Sequence, residues 1–189
     1  MIAQGKHLSI RKMRAVEEDF LLYLKWMTDP LTMKYWEGMT EHFTYQRVIE
    51  EYWAGIREGV IPCIIIYQGK SIGFCQFCIL NPQYYEVPAK LYYSFAGRTE
   101  LVYGIDIFLG ETEYRNHGIG SQALMLLMRA LFSDYHADCL MIDPKIHNTR
   151  AIRCYHKAGF RDLFIVPHRE LQDGIYHDSL IMGLKKSKT

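Results

Sequence analysis

The chain has 189 residues, 49% of them hydrophobic and 23% charged, with a formal net charge of +1. That length supports one domain with a substantial core, taken here as residues 1–189, and the near-neutral balance gives no footprint for nucleic acid. No run approaches a membrane span, and the opening MIAQGKHLSIRKM lacks the apolar centre of a signal peptide, so the expectation is a cytoplasmic protein with no membrane partner. The 5 cysteines, odd in number and scattered, point to a reducing compartment. The short Lys185-Lys186-Ser187-Lys188 tail reads as a frayed end.

In chain order, Leu8 to Met13 reads as a short strand. EEDFLLYLKWM follows as a helix, with Phe20, Leu21, Leu24 and Met27 on one face and acids in its first turn. Asp29-Pro30 ends it. Thr44 is a candidate cap for YQRVIEEYWAGIRE, which Gly59 closes. IPCIIIYQGKSIGFCQFCIL predicts a hairpin, Cys63–Tyr67 and Ser71–Leu80, turning at Gln68-Gly69-Lys70. Residues 81–99 hold two prolines and four tyrosines without a period, and read as a long loop of the kind that tends to be functional. LVYGIDIFLG is another strand. A third helix then buries Leu124, Leu127, Met128 and Leu131, and DCLMID is a strand stopped by Pro144. Asn148 or Thr149 caps a fourth helix, NTRAIRCYHKAGF, ended by Gly159. Arg161–Val166 and Tyr176–Leu184 form a last pair around Asp173-Gly174.

The order β-α-α-β-β-β-α-β-α-β-β predicts an α/β (α+β) fold with a mixed central sheet and helices on both faces. Hairpin strands must be antiparallel, and strands joined across a helix are expected to be parallel.

RNHGIG, between a strand and a helix, packs almost nothing. A helix N-terminus offers unpaired N–H groups and a positive dipole end, and glycines let such groups close around a phosphate. A glycine turn with a solvated arginine is the competing reading. The segment is neither a Walker loop nor a dinucleotide fingerprint, because GxxxxGK[ST] and GxGxxG are both absent.

RNHGIG together with NTRAIRCYHKAGF resembles the acetyl-coenzyme A signature of the GNAT N-acetyltransferase superfamily, whose element order is also the one read above. YGIDIFLGE, MIDPKIHNTRAIRCYHKAGF and LKWMTDP are similar to the aminoglycoside 6′-N-acetyltransferases, from about Ile10 to Met182. The resemblance implies a GNAT-like sheet, acetyl-CoA as cosubstrate and an aminoglycoside as partner. No metal is implied, and the chain is expected to be a monomer or weak homodimer. For the cofactor it implies Arg115, Asn116, His117, Gly118, Ile119, Gly120 and Ser121 at the pyrophosphate. It further implies the backbone edge of Ile105, Ile107 and Phe108 along the pantetheine arm, Asn148 and Arg153 nearby, and Tyr155 at the thioester sulfur. A plain N-cap at Asn148 and a half-buried helix tyrosine at Tyr155 are the structural alternatives.

Asp106 is the sharpest oddity, a carboxylate inside an apolar strand that costs on the order of several kcal/mol unless paired or at a wet cleft. An amine arriving as ammonium must lose a proton before it attacks a thioester, and a carboxylate within reach can take it. Asp143, before Pro144, sits at a strand end where α/β ligand sites form, or is simply a turn residue. The resemblance adds Trp36, Glu37 and Tyr103 on the substrate side, with Glu170 and Asp173 as further charge or as a solvated face. Cys75 and Cys78, lacking a second pair, read as packing. Two rival functions stay open. One is a GNAT enzyme for another amine, such as a protein N-terminus or a siderophore precursor. The other is a non-catalytic acetyl-CoA or ligand-binding module.

Overall fold

A computed structural model describes residues 1–85 and 88–187. It contains an eight-stranded mixed sheet in the order β1-β2-β3-β4-β5-β6-β8-β7, and six helices among the described residues. The chain divides into two compact units, Met1–Phe77 with Asp106–Leu127, and Cys78–Ile105 with Met128–Thr189.

The first unit begins with β1 (Ala3–Gln4) and β2 (Leu8–Lys12), then α1 (Glu17–Met27), α2 (Pro30–Met33) and α3 (Tyr45–Arg57). It continues through β3 (Ile61–Tyr67) and most of β4 (Lys70–Ile79). Local chemistry sets these boundaries. Asp29 caps α2 by accepting from the Thr32 N–H at 2.9 Å, and Thr44 Oγ1 caps α3 by accepting from Arg47 N–H at 3.2 Å. Gly59 leaves α3 at φ 82°, and the β3–β4 hairpin turns on Gln68 and Gly69 at φ 48° and 81°.

β2 and β3 were expected to be parallel and are antiparallel, with Lys12 opposite Cys63. The reason lies in what joins them. α1 and α3 pack through Phe20, whose ring meets Tyr45 and Tyr52 edge-on at 6.2 and 5.2 Å. Two packed helices lead the chain out and back, so β3 starts where β2 stopped. The buried face of α1 also differs from expectation. Leu21 is exposed, and Asp19, Phe20, Trp26 and Met27 are buried. The face is set by Trp26, whose indole lies against Gly110: a Cβ on that glycine would fall 2.2 Å from the ring.

The second unit holds α4 (Ala89–Tyr93), the first half of β5 (Val102–Leu109), the end of α5 (Ile119–Ser133) and β6 (Cys139–Ile142). α6 (Thr149–Lys157), β7 (Arg161–Gln172) and β8 (Ile175–Lys185) complete it. A single helix joins β5 to β6, and these strands are parallel, Val102 opposite Cys139. β6 pairs antiparallel with β8 and β8 with β7. Leu124, Leu127, Met128 and Leu131 of α5 are all buried, as their spacing requires.

The 81–99 stretch is more ordered than its composition suggests, with a 3-10 turn at Pro82–Tyr85 followed by α4; Glu86 and Val87 lie outside the described residues, as does Lys188 of the tail. Its tyrosines supply the order. Tyr92 is buried, donates its hydroxyl to the Leu80 carbonyl at 3.2 Å and meets Tyr93 edge-on. β7 runs past its expected end at Val166 to Gln172, by a register break between Val166 and Glu170.

Candidate active site

The RNHGIG loop belongs to the first unit and is fixed at its root. Gly110 rests on Trp26, and Trp26 Nε1 donates to Glu111 Oε1 at 2.9 Å, which also receives Lys25 Nζ at 2.5 Å. After a 3-10 turn at Thr112–Tyr114 the chain passes through Asn116 at φ 65° and Gly118 at φ 75° and enters α5. Gln122 N–H donates to the Gly118 carbonyl at 3.1 Å, which closes the first turn of α5.

The two glycines serve different ends. Gly118 needs its positive φ. Gly120 does not: a Cβ there would meet only Leu109 side-chain atoms, the nearest at an ordinary 3.7 Å. The chain has no steric need for glycine at 120, and its bare backbone leaves room for a ligand.

Arg115, expected to meet the pyrophosphate, is anchored to the protein by its guanidinium. Its Nε donates to the Leu109 carbonyl at 2.9 Å, and its Nη2 to Thr32 Oγ1 at 2.8 Å and the Gly110 carbonyl at 3.2 Å. Asp29 Oδ2 is 3.5 Å away. The anchoring has a physical cause: β5 ends in carbonyls that a guanidinium fork can gather. Asn116 and His117 are exposed, Ile119 is buried and Ser121 half-buried.

Asp106 stands on β5 with its Oδ2 accepting from Gln76 Nε2 of β4 at 2.9 Å. Beside it in the same unit is an aromatic group. Trp36 lies edge-on to Phe108 at 4.8 Å and to Phe74 at 6.2 Å, Phe74 stacks on Phe108 at 5.6 Å, and Tyr23 tilts onto Phe74 at 4.7 Å. Burial holds the Tyr23 phenol well above its ordinary range, and the negative charges of Glu37, Glu51 and Asp106 push it further the same way. Three carboxylates therefore act on one hydroxyl. Ile107 and Phe108 are half-buried and Glu37 is exposed.

Cys75 lies opposite Cys63 across the β3–β4 ladder, and both are buried. The contact with Cys63, then burial, raises the Cys75 thiol well above its usual range, which makes it a poor nucleophile. Cys78 is half-buried. Among the described residues no group of three or more His, Cys, Asp or Glu side chains could hold a metal ion.

The second unit carries the other predicted residues. Ile105 and Tyr103 are buried on β5, and Tyr103 lies edge-on to Tyr135 at 6.1 Å. Asn148 Oδ1 caps α6 by accepting from Ala151 N–H at 3.2 Å. Arg153 is exposed, and Tyr155 is buried with its ring 6.2 Å from Phe160. Asp143 and Glu170, expected to present charge to a ligand, both have cations beside them. Asp143 Oδ2 receives Arg169 Nε at 3.2 Å; Glu170 receives Lys145 Nζ at 2.6 Å and Ser179 Oγ at 3.0 Å. Burial pushes the Asp143 carboxyl above the ordinary range, Glu170 adds to this, and Arg169 opposes it. Asp173 is an exposed turn residue at φ 52°.

Sequence reasoning missed Gln76, Tyr23, Phe74, Arg169 and Lys145. For Gln76 a signal existed, a polar side chain inside GFCQFCIL. Arg169 and Lys145 carried none, because only the folded β7 brings them to the carboxylates.

Residues 15–166 match a family described as acetyltransferase (GNAT) domain. The chain is 29% identical to an aminoglycoside N(6′)-acetyltransferase type 1 of Klebsiella pneumoniae over 146 residues, which span 76% of this chain and 70% of that protein. A kanamycin resistance protein of Rhizobium radiobacter is 41% identical over 59 residues, 31% of this chain and 55% of that one. The structure of AAC(6′)-Ib in complex with ribostamycin and coenzyme A superposes with a TM-score of 0.75 at 24% identity, covering 96% of this chain and 94% of the other.

Proposed function

The chain belongs to the GNAT acetyltransferase family, and from that premise we propose that it transfers the acetyl group of acetyl-CoA to an amine of an aminoglycoside, the 6′-amino group. The observation that carries this reading is the first unit's combination of Asp106 on Gln76, a Trp36–Phe108–Phe74 aromatic face, and the charges of Glu37 and Glu51 beside it. Aminosugars present apolar ring faces and several ammonium groups, and this set answers both. The kinship to aminoglycoside acetyltransferases supports the same choice.

The loop fits the cofactor's pyrophosphate on two features of this chain. Gly118 supplies the left-handed turn, and Gly120 is bare where nothing in the protein requires it. Main-chain N–H groups at Gly118–Ser121 hold the phosphates, Arg115 braces the loop by gathering the Leu109 and Gly110 carbonyls, and Asn116 and His117 flank it. When bound, acetyl-CoA supplies an acyl group already activated as a thioester. The backbone of Ile105–Phe108 aligns the extended arm as an added strand would, and Asn148 and Arg153 assist from α6.

Asp106 binds the substrate ammonium and takes its proton, directly or through water. Gln76 fixes the carboxylate by donating to Oδ2 at 2.9 Å. Trp36 and Glu37 receive the sugar, and Tyr103, Asp143 and Glu170 are further substrate-binding candidates. Tyr155 returns a proton to the departing sulfur. The enzyme works in the cytoplasm, as a monomer or weak homodimer.

An acetyl-CoA consumption assay with kanamycin, tobramycin and a peptide N-terminus tests the reading. Turnover of the antibiotics is expected. Preferential acetylation of the peptide would replace the proposed substrate, and acetyl-CoA binding without any turnover would leave a ligand-binding module.

A further inference from the structure

Arg169 lies within the register break of β7, between Val166 and Glu170, where His168 takes a φ of 51° and its N–H donates to Asp178 Oδ1 at 2.9 Å. The pinned bulge aims the arginine at Asp143. Nε reaches Asp143 Oδ2 at 3.2 Å, Nη1 donates to the Tyr84 carbonyl at 3.4 Å, and the guanidinium lies 5.2 Å from the centre of the Tyr84 ring. Both side chains of the Arg169–Asp143 pair are only 16% exposed. The Tyr84 carbonyl and ring thus contact the same guanidinium that meets the carboxylate.

The other charges around this pair are settled. Glu170, next on β7, is bonded to Lys145 and to Ser179 of β8. The charges that act most on Asp143 are the cation Arg169 and the anion Glu170, and burial favours its neutral form. A neutral Asp143 can still accept a hydrogen bond from an ammonium but loses the attraction between opposite charges.

We propose that Arg169 is a positioning residue that keeps Asp143 an oriented anion, and so sets the acid limit of the pH range in which the enzyme holds its cationic substrate. The inference rests on the reading of Asp143 as an anchor for an aminoglycoside amine. Its sign follows from the charges. Without Arg169, burial and Glu170 act on Asp143 unopposed, its titration moves upward, and affinity for a polycation fails at a higher pH. Well above that titration Asp143 ionises without help, and removal of a neighbouring positive charge then favours the cation.

Kanamycin affinity by calorimetry and kanamycin KM, measured from pH 5.5 to 8.5 on wild type, Arg169→Gln, Arg169→Lys and Asp143→Asn, test this. Arg169→Gln is therefore expected to weaken kanamycin about tenfold at pH 5.5 and to reach or pass wild-type affinity at pH 8.5, with kcat little changed. Arg169→Lys keeps the cation and should retain the wild-type acid limit. Asp143→Asn should weaken kanamycin at pH 8.5. An equal loss at both pH values in Arg169→Gln, with Asp143→Asn still impaired, would reduce Arg169 to a structural contact and overturn the proposal. Wild-type affinity of Asp143→Asn at pH 8.5 would remove the anchor itself, and the proposal with it. Should Arg169→Gln not fold, a displaced acid limit in Arg169→Lys overturns the proposal and an unmoved one supports it.

Discussion

Asp19 and Asp106 are two carboxylates set among apolar neighbours in the same unit, and the chain treats them in opposite ways. Asp19 is 0% exposed and takes hydrogen bonds from the guanidinium groups of Arg11 and Arg14 and from the Arg14 N–H. Burial alone would raise its titration, yet these partners outweigh it and hold the group well below the ordinary range. Asp106, half-buried, receives a neutral amide from Gln76. A carboxylate enclosed by arginines is fixed in charge and spent on architecture. One oriented by an amide is held in place by a neutral donor in that bond. The identity of the partner, more than the depth of burial, separates a structural carboxylate from a working one.

The largest expected effect breaks the comparison at Asp106. Asp106→Asn should lower kcat about 10²–10⁴-fold while acetyl-CoA affinity and thermal stability hold. If Asp106 takes the proton, the kcat–pH profile changes shape; if it acts by charge alone, the profile keeps its shape at a lower rate. Near-wild-type kcat at pH 7 would remove Asp106 from the mechanism.

Asp19→Asn should do the reverse, costing about 3 kcal/mol of unfolding free energy in urea melts, with kcat per folded molecule intact. The pH dependence sharpens this. A carboxyl depressed by folding contributes fully above its unfolded titration, near pH 3.9, and that contribution is lost as the pH falls toward the depressed folded value. The wild type should therefore lose stability across that acid window, and Asp19→Asn should lose distinctly less there. An equal acid slope in both proteins would show that Asp19 is not the group responsible.

The smallest effect concerns Gly120. Because an added Cβ meets only an ordinary contact, Gly120→Ala should stabilise the unliganded protein by about 0.5 kcal/mol, on the scale of helix glycines. The same methyl group should raise the acetyl-CoA KM. A stabilised variant with unchanged KM would mean that the glycine is not there for the cofactor.

What was legible in the sequence was what short range decides. Thr44 and Gly59 bound α3, Asn148 and Gly159 bound α6, and Gln68-Gly69 turns a hairpin, because each acts within four residues of itself. Asp106 was legible for another reason, as a charge interrupting VYGIDIFLG. The antiparallel pairing of β2 and β3 was not, since it depends on how α1 and α3 pack. Nor was the anchoring of Arg115. RNHGIG specifies an arginine ahead of the helix, but the Thr32 hydroxyl and Asp29 that receive it come from far earlier in the chain. Arg169 was hidden twice, by a bulge that extends β7 past Pro167 and by a partner on a different element.

The root of the RNHGIG loop has one more consequence. Trp26 is 1% exposed beneath Gly110, its indole N–H is taken by Glu111, and Arg115 closes the same turn against Thr32. A loop fastened at these points has already surrendered its freedom when the chain folds, so a ligand arriving there has little left to immobilise. Ordering entropy that a floppy loop would charge against every binding event is settled once per molecule. The grip on the cofactor should then depend weakly on temperature-driven loop motion, and loosening Trp26 should be felt in the off-rate of acetyl-CoA before it is felt in the chemistry.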